Sequence, residues 1–343
     1  MSPIPNKHRD MLSTDRQVVA VPRNQAILAV VLRYRTAPLL PAVLVALFGL
    51  AALIHPSFGA FDVQSLALVA LPLALAAVAQ TAVVIGGGID LSVGSLMAVS
   101  NVLAARSMQG ASLSETCLLA VAVVVVGTAC GALNGLIIIA SGVPDVVVTL
   151  TTGFIWGGVA LLILNQPGGG APEEFVALGA GQLWPWIPNA LLLLLAVVFF
   201  IWLPISRTRL FLGIYAVGSD RTAAFRSGVD VVRSVAASYA IGGLFCALGG
   251  LFLVMTTGIG SPLGSAHYTL SSIAAIVLGG VSLTGGRGQV FGPVLGAYIL
   301  SFIPAILIFF EIDPNYGEVI QGGLIVGIVM AAGSLKLKGR SIQ

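Results

Sequence analysis

Apolar runs long enough to cross a bilayer follow one another along most of this chain, and its charges sit in the gaps. A helix needs about 20 residues to span roughly 30 Å of hydrocarbon. Runs of that kind lie near 37–54, 66–86, 91–105, 116–140, 146–164, 188–205, 234–257, 269–285, 290–310 and 317–334, the third and eighth being short. Charged residues make up only 8% of the 343, where soluble domains carry roughly 25%. A soluble fold is thereby excluded. The expected class is all-α: a polytopic transmembrane helical bundle of about 10 spans, or about 8 to 9 if a glycine-rich break forms a re-entrant loop. Glycine contributes 42 residues, and small residues let helices approach closely in lipid. Cys117, Cys130 and Cys246 lie in apolar runs without ligand spacing and read as small buried apolar side chains.

The cations give these runs a direction. Lys7, Arg9, Arg16, Arg23, Arg33 and Arg35 precede the first run. Arg207, Arg209, Arg221, Arg226 and Arg233 separate the sixth from the seventh, Arg287 follows the eighth, and Lys336, Lys338 and Arg340 close the chain. With ten spans and a cytoplasmic N-terminus, 15 of the 16 Lys and Arg lie inside, Arg106 being the exception, as the positive-inside rule requires. The outer loops agree: 165–187 holds two glutamates and no cation, and 311–318 holds three acids and no cation. Trp184 and Trp186 suit the membrane–water boundary. Residues 1–36 read as a polar, basic, disordered cytosolic tail rather than a cleavable signal. Residues 37–334 form the transmembrane domain, and 335–343 a second cytosolic tail.

Two glycine-rich strings interrupt the apolar pattern. Residues 86–95 read GGGIDLSVGS and residues 279–286 read GGVSLTGG. Gly87, Gly88 and Gly94 align with Gly279, Gly280 and Gly286, and Ser92 with Thr284. Glycine lets the backbone leave helical geometry, while Ser, Thr and Asp re-satisfy the freed amides. Such breaks among membrane helices are tolerated only where protein or water surrounds them, and duplicated breaks mark the pathway in many transporters. In the ten-span arrangement both strings fall at inner ends, so the two copies run in the same direction. Asp90 stands inside the first string. A charge at the bilayer centre costs about 2.5–3.5 kcal/mol, so Asp90 must lie near an interface, find a partner or face a cavity. It reads either as a gate residue or as the cap of the following helix. Asp145, after Pro144, reads as an inner-loop cap.

The inner loop 206–233, SRTRLFLGIYAVGSDRTAAFRSGVDVVR, is the one inner surface large enough to receive a partner protein. Gly213, Gly218 and Gly228 are its possible breakpoints. Between the last two, SDRTAAFRS reads as a short helix capped by Ser219 or Asp220 and ended by Gly228. With Ala223, Ala224 and Phe225 on it, this helix presents a small knob for a partner's cleft. The alternative is a basic loop that only sets topology. No G-x-x-x-x-G-K-[ST] phosphate loop occurs in the chain, so ATP that drives it would bind another chain.

The order Ala223-Ala224, three residues, Gly228 resembles the coupling-loop motif of binding-protein-dependent ABC importer permeases, with Thr222 where that motif often has glutamate. GGGIDLSVGS resembles the GGIDLSVGS string of the ribose-type sugar permeases, and residues 271–297 resemble their second signature. Residues 217–220 with 223–229 resemble their cytoplasmic loop, and 142–145 with 148–150 resemble a further segment. The resemblance covers about residues 40–334, in the order of the ribose/xylose/arabinose-type sugar permease family. It implies the transmembrane subunit of an ABC importer in a bacterial inner membrane, carrying a monosaccharide or related polyol. It further implies a second permease subunit (identical or related), a periplasmic substrate-binding protein, and a cytosolic ABC ATPase that holds the ATP and Mg. The chain itself would be no enzyme and would bind no cofactor, metal or nucleic acid. The coupling role would fall on Gly218, Asp220, Arg221, Ala223, Ala224, Arg226 and Gly228.

A neutral solute needs small residues and scattered hydroxyls and amides along its path. Asp90, Ser92, Gln80, Asn101, Asn134, Thr149 and Ser272 are the pathway or gate candidates, with Thr81, Thr151 and Thr152 beside them. Each could equally bond an adjacent helix. His267 and Tyr268 follow a polar outer loop and read as a partner contact or an interfacial pair. The rival reading is an ion-coupled secondary transporter, which needs intramembrane ionisable groups; only Asp90 qualifies. A membrane enzyme needs a polar catalytic cluster, which the sequence does not display.

Overall fold

Two long helices carry the bundle in the computed structural model, which describes residues 39–313, 316–317, 319–323 and 326–327. The expected tails at 1–36 and 335–343, and most of the expected last span at 317–334, lie outside the described residues. In chain order the helices are α1 (Leu39–Ile54), α2 (Ala60–Ile85), α3 (Val93–Met108), α4 (Leu113–Ser141), α5 (Asp145–Ile163), α6 (Glu173–Ala180), α7 (Asn189–Ser206), α8 (Arg209–Ser219), α9 (Arg221–Arg226), α10 (Val231–Thr257), α11 (Tyr268–Leu278) and α12 (Phe291–Phe309). Helix α7 contains a π-turn at Val198–Trp202. Helices α2, α4, α5, α7, α10 and α12 are long and apolar enough to cross a membrane. The chain is a helical membrane protein.

Local chemistry fixes the helix ends. Asp62 Oδ2 accepts the Gly59 N–H at 2.8 Å, so α2 starts earlier than its apolar run. Ser112 and Glu115 cap each other's amides at the start of α4, which ends on Gly142 at a φ of 65°. Asp230 Oδ1 accepts the Arg233 N–H at the start of α10. The expected eighth run stops short. Helix α11 ends at Leu278, because Gly279 and then Gly280, at a φ of 77°, turn the backbone out of the helix. Residues 281–284, expected inside a span, therefore lie in a loop.

The centre of the bundle is built on missing side chains. Helix α2 is buried along nearly its whole length against α10, α11 and α12. Helices α4 and α10 pack through Gly127, Gly131 and Gly135, four residues apart, against Gly243 and its neighbours. A Cβ at Gly131 would overlap the Tyr239 carbonyl, and one at Gly243 would overlap the Gly127 carbonyl. On its other side α10 receives α3: a Cβ at Gly250 would stand 2.5 Å from Met97 O. No hydrophobic drive brings helices together in lipid, so close backbone approach and dispersion must do it. Helices α4, α5 and α7 are buried along only one side and expose Leu118, Val121, Phe154, Phe199 and Phe200.

Some expectations change. Cys117 is exposed on α4 rather than buried, while Cys246 is buried. Gly213 and Gly218 lie inside α8 and break nothing; Gly213 instead makes room for Ser234. The loop 165–187 folds into α6 and a two-stranded hairpin, β1 (Gln182–Trp184) with β2 (Ile187–Pro188), an addition to the all-α class. Trp184 and Trp186 are exposed on that hairpin.

Gly243→Val tests the packing account. Overpacking costs about 1–3 kcal/mol, so the variant is expected to lower the thermal midpoint of the detergent-solubilised protein. Gly158→Val, where a Cβ meets nothing within 4 Å, is expected to leave it unchanged.

Candidate functional site

Asp90 is completely buried between the end of α2 and the start of α3. Its Oδ1 accepts the Ser92 N–H at 2.8 Å and the Ser92 hydroxyl at 2.6 Å. Asn134 Nδ2 donates to Ser92 Oγ at 2.8 Å, and Trp156 Nε1 donates to Asn134 Oδ1 at 3.2 Å. With its amide turned to match, Gln80 grips the Asp90 backbone, accepting from its N–H at 3.2 Å and donating to its carbonyl at 3.0 Å. The network thus joins α2, α3, α4 and α5 through one acid. Asp90 Oδ2 makes no hydrogen bond among the described residues.

Helix α5 holds the same string from the other side. Asp145 Oδ2 accepts the Ile89 N–H, and Thr149 Oγ1 accepts the Leu91 N–H at 3.0 Å. Asp145 therefore ties two distant segments rather than acting only as a local cap. The remaining polar candidates are also engaged within the bundle. Asn101 donates to Gly250 O at 3.3 Å and accepts the Ser261 N–H at 2.6 Å. Ser272 donates to Thr269 O, Thr81 to Ala77 O, Thr151 to Val147 O and Thr152 to Thr149 O. Gly94 donates its N–H to Thr269 Oγ1 at 3.0 Å and accepts from Ser265 Oγ at 2.8 Å. The His267 and Tyr268 rings lie 4.0 Å apart, tilted by 40°, at the start of α11.

Both glycine-rich strings and the end of α8 converge. The Gly286 N–H donates to Ile85 O at 2.9 Å, which places the strings at one end of the bundle. Gly218 is wedged between them. A Cβ on Gly218 would overlap Ile85 O and stand 2.8 Å from Gly286 N. One on Gly285 would lie 2.6 Å from Gly218 O and 2.7 Å from Gly87 Cα. Gly87, Gly285 and Gly286 all hold positive φ, which favours glycine on its own account. Tyr215 Oη donates to Gly288 O at 2.6 Å and so ties α8 to the second string once more. A cavity of about 340 Å³ opens beside the junction, lined in part by Gly88, Asp145, Gly218, Arg221, Tyr239 and Thr284.

Helix α9 follows at once. Asp220 Oδ1 accepts the N–H groups of Thr222 and Ala223 at 2.8 and 2.9 Å. Gly228, at a φ of 81°, lies just past the end of the helix. Ala224 faces inward and packs with Val83, Val217 and Val235. Arg221, Ala223 and Arg226 are exposed, as is Phe225 at 71%. The exposed surface of the knob thus carries Phe225 together with Arg221 and Arg226. Sequence reasoning missed Tyr215 and Trp156, whose spacing carries no signal; only the fold brings them to the strings.

The family described as branched-chain amino acid transport system / permease component matches residues 63–329. The D-allose transport system permease protein of Escherichia coli (strain K12) is 32% identical over 243 residues, 71% of this chain and 74% of that protein. The ribose import permease protein of the same strain is 31% identical over 265 residues, 75% of this chain and 81% of that protein. The fructose import permease protein of Rhizobium meliloti is 33% identical over 263 residues, 72% of this chain and 71% of that protein. No solved structure matches.

Ser92→Ala would strand Asn134 Nδ2 in the interior and leave Asp90 Oδ1 with only the backbone N–H of residue 92. Leaving buried polar groups unpaired costs about 1–3 kcal/mol, so a lower unfolding midpoint is expected, with a change in fluorescence as Trp156 loses its fixed partner.

Proposed function

We propose a function from one premise: this chain belongs to the branched-chain amino acid transport system / permease component family. It is the membrane-spanning permease subunit of an ABC importer. In our reading it works in a bacterial inner membrane, with 1–36 and 335–343 as cytosolic tails around the transmembrane domain 37–334. Its cargo is a monosaccharide or a related polyol. The names of its allose, ribose and fructose relatives support this, as does an interior rich in hydroxyls and amides and poor in charge.

The energy comes from a separate ATPase subunit that holds ATP and Mg and seats α9 in a cleft. The observation that carries this reading is the junction at Gly218. A push on α8 and α9 reaches both glycine-rich strings directly, because backbone touches backbone there. Gly218, Asp220, Arg221, Ala223, Ala224, Arg226 and Gly228 form the coupling segment, with Phe225 as its exposed contact. A periplasmic binding protein delivers solute to the opposite end, where the α6–hairpin segment stands exposed. A second permease, identical or related, completes the pathway. Asp90, Ser92, Gln80, Asn101, Asn134, Thr149 and Ser272 act on that pathway by holding the breaks in place.

Phe225→Ala combined with Arg226→Glu is expected to cut co-purification of the ATPase at least tenfold while the permease still inserts. Unaltered association would remove the docking assignment. Reporter fusions at residue 220 are expected to read cytoplasmic and those at 175 periplasmic. For the cargo, vesicles loaded with the assembled transporter should take up one of a panel of pentoses and hexoses, ribose, allose and fructose among them, only with ATP and the binding protein present.

A further inference from the structure

Between α10 and α11 the chain runs through the bundle without forming a helix. Gly260 is held at the outer end of α3 by its paired bonds to Gly168, and a Cβ on it would stand 2.8 Å from Ala105 Cβ. Ser265 is held by Gly94, eleven residues back along α3, which is about 16 Å of helical rise. The connection runs down α3 through bends and a turn, with the Ala266 N–H on Leu263 O at 3.5 Å and Gly264 close against the Ser261 side chain. The lower end of the descent is deep. Ser92 is bonded to Asn134, seven residues from the end of α4, and Gly94 lies further in. Helix α4 measures about 44 Å against about 30 Å of hydrocarbon. Ser261 bonds Asn101 and Ser265 bonds Gly94, so residues 261–266 lie within the hydrocarbon layer as irregular backbone.

That backbone is open to its surroundings. Leu263 is 70% exposed, and Gly264 and Ala266 are exposed with it. The N–H groups of Leu263, Gly264 and Ser265 and the carbonyls of Pro262 and Gly264 make no hydrogen bond among the described residues. Lipid cannot satisfy such groups; irregular backbone at this depth survives only against protein or water. Ser95, half-buried on the turn of α3 that carries Gly94 and facing Gly157, adds a hydroxyl to the same level.

We propose that residues 263–266, with Ser95, form part of the wall of the solute pathway, where water and then a neutral polyhydroxy solute satisfy the open backbone groups. The proposal rests on the importer reading and adds the surface past which the solute moves. A neutral sugar offers donors and acceptors in equal measure, which is what a mixed set of free N–H and C=O groups can hold. Helix α11 begins where this segment ends, so a shift of the second glycine-rich string, at the far end of α11, would be passed to the wall.

The test is thiol labelling in the assembled transporter, with Cys117, Cys130 and Cys246 replaced by alanine. Leu263→Cys and Ala266→Cys are each compared with Val125→Cys and Phe200→Cys on the apolar faces of α4 and α7. A charged, membrane-impermeant methanethiosulfonate is expected to label the first pair at least tenfold faster than the second. Labelling no faster than at Val125 and Phe200 would put the segment against lipid and overturn the proposal. A disulfide between two copies at Ala266→Cys, without labelling, would make it a dry subunit contact and overturn it equally. The readout needs no sugar, so an error in the cargo assignment would show in uptake and not here.

Discussion

Three stretches of backbone meet at Gly218, and no side chain fits between them. The end of α2, the second glycine-rich string and the end of α8 come within van der Waals contact, with one hydrogen bond from Gly286 to Ile85 holding the strings together. A side chain is a compliant spacer with several rotamers; bare backbone is not. Displacement of α8 is therefore transmitted rather than absorbed. The same principle shapes the core, where α4 and α10 press glycine against glycine so that dispersion can hold helices that lipid does not push together.

Polar groups fix what the glycines leave loose. A broken helix exposes amides that hydrocarbon would punish. Asp145 and Thr149 take the amides of Ile89 and Leu91, Gln80 takes both backbone groups of Asp90, and Asp90 takes the amide of Ser92. The acid that read as a gate or as a cap is thus engaged in holding the break at a defined shape. Its partners Ser92, Asn134 and Trp156 extend that hold into α4 and α5. In the proposed reading a neutral solute meets hydroxyls, amides and backbone, and the arginines of 206–233 offer the docking face.

Much of this was legible in the sequence. Among the described residues, apolar runs gave most helix positions to within a few residues, the early start of α2 and the early stop of α11 being the exceptions, because length and hydropathy decide where a helix can cross. Local rules left the cap of α9 to Ser219 or Asp220, of which the fold uses Asp220, and set the stop at Gly228. Pairing of the two strings was legible as a repeat, though not their contact, since only the fold brings Ile85 to Gly286. Asp145 read as a local cap because its partner, Ile89, is far away in sequence. Ala223 and Ala224 looked alike in the motif, yet one faces out and the other in, a distinction set by packing on Val83 and Val235. The depth of the turn at 261–266 was hidden because its few residues, Gly, Ser and Pro among them, read as an ordinary loop.

The central claim is that force passes through the junction at Gly218. The most direct measurement is ATP hydrolysis and solute uptake, taken together, in reconstituted transporter carrying Gly218→Ala. The account predicts that the ATPase still binds and hydrolyses ATP while uptake falls at least tenfold. Uptake equal to that of the unaltered chain, at equal hydrolysis, would contradict it.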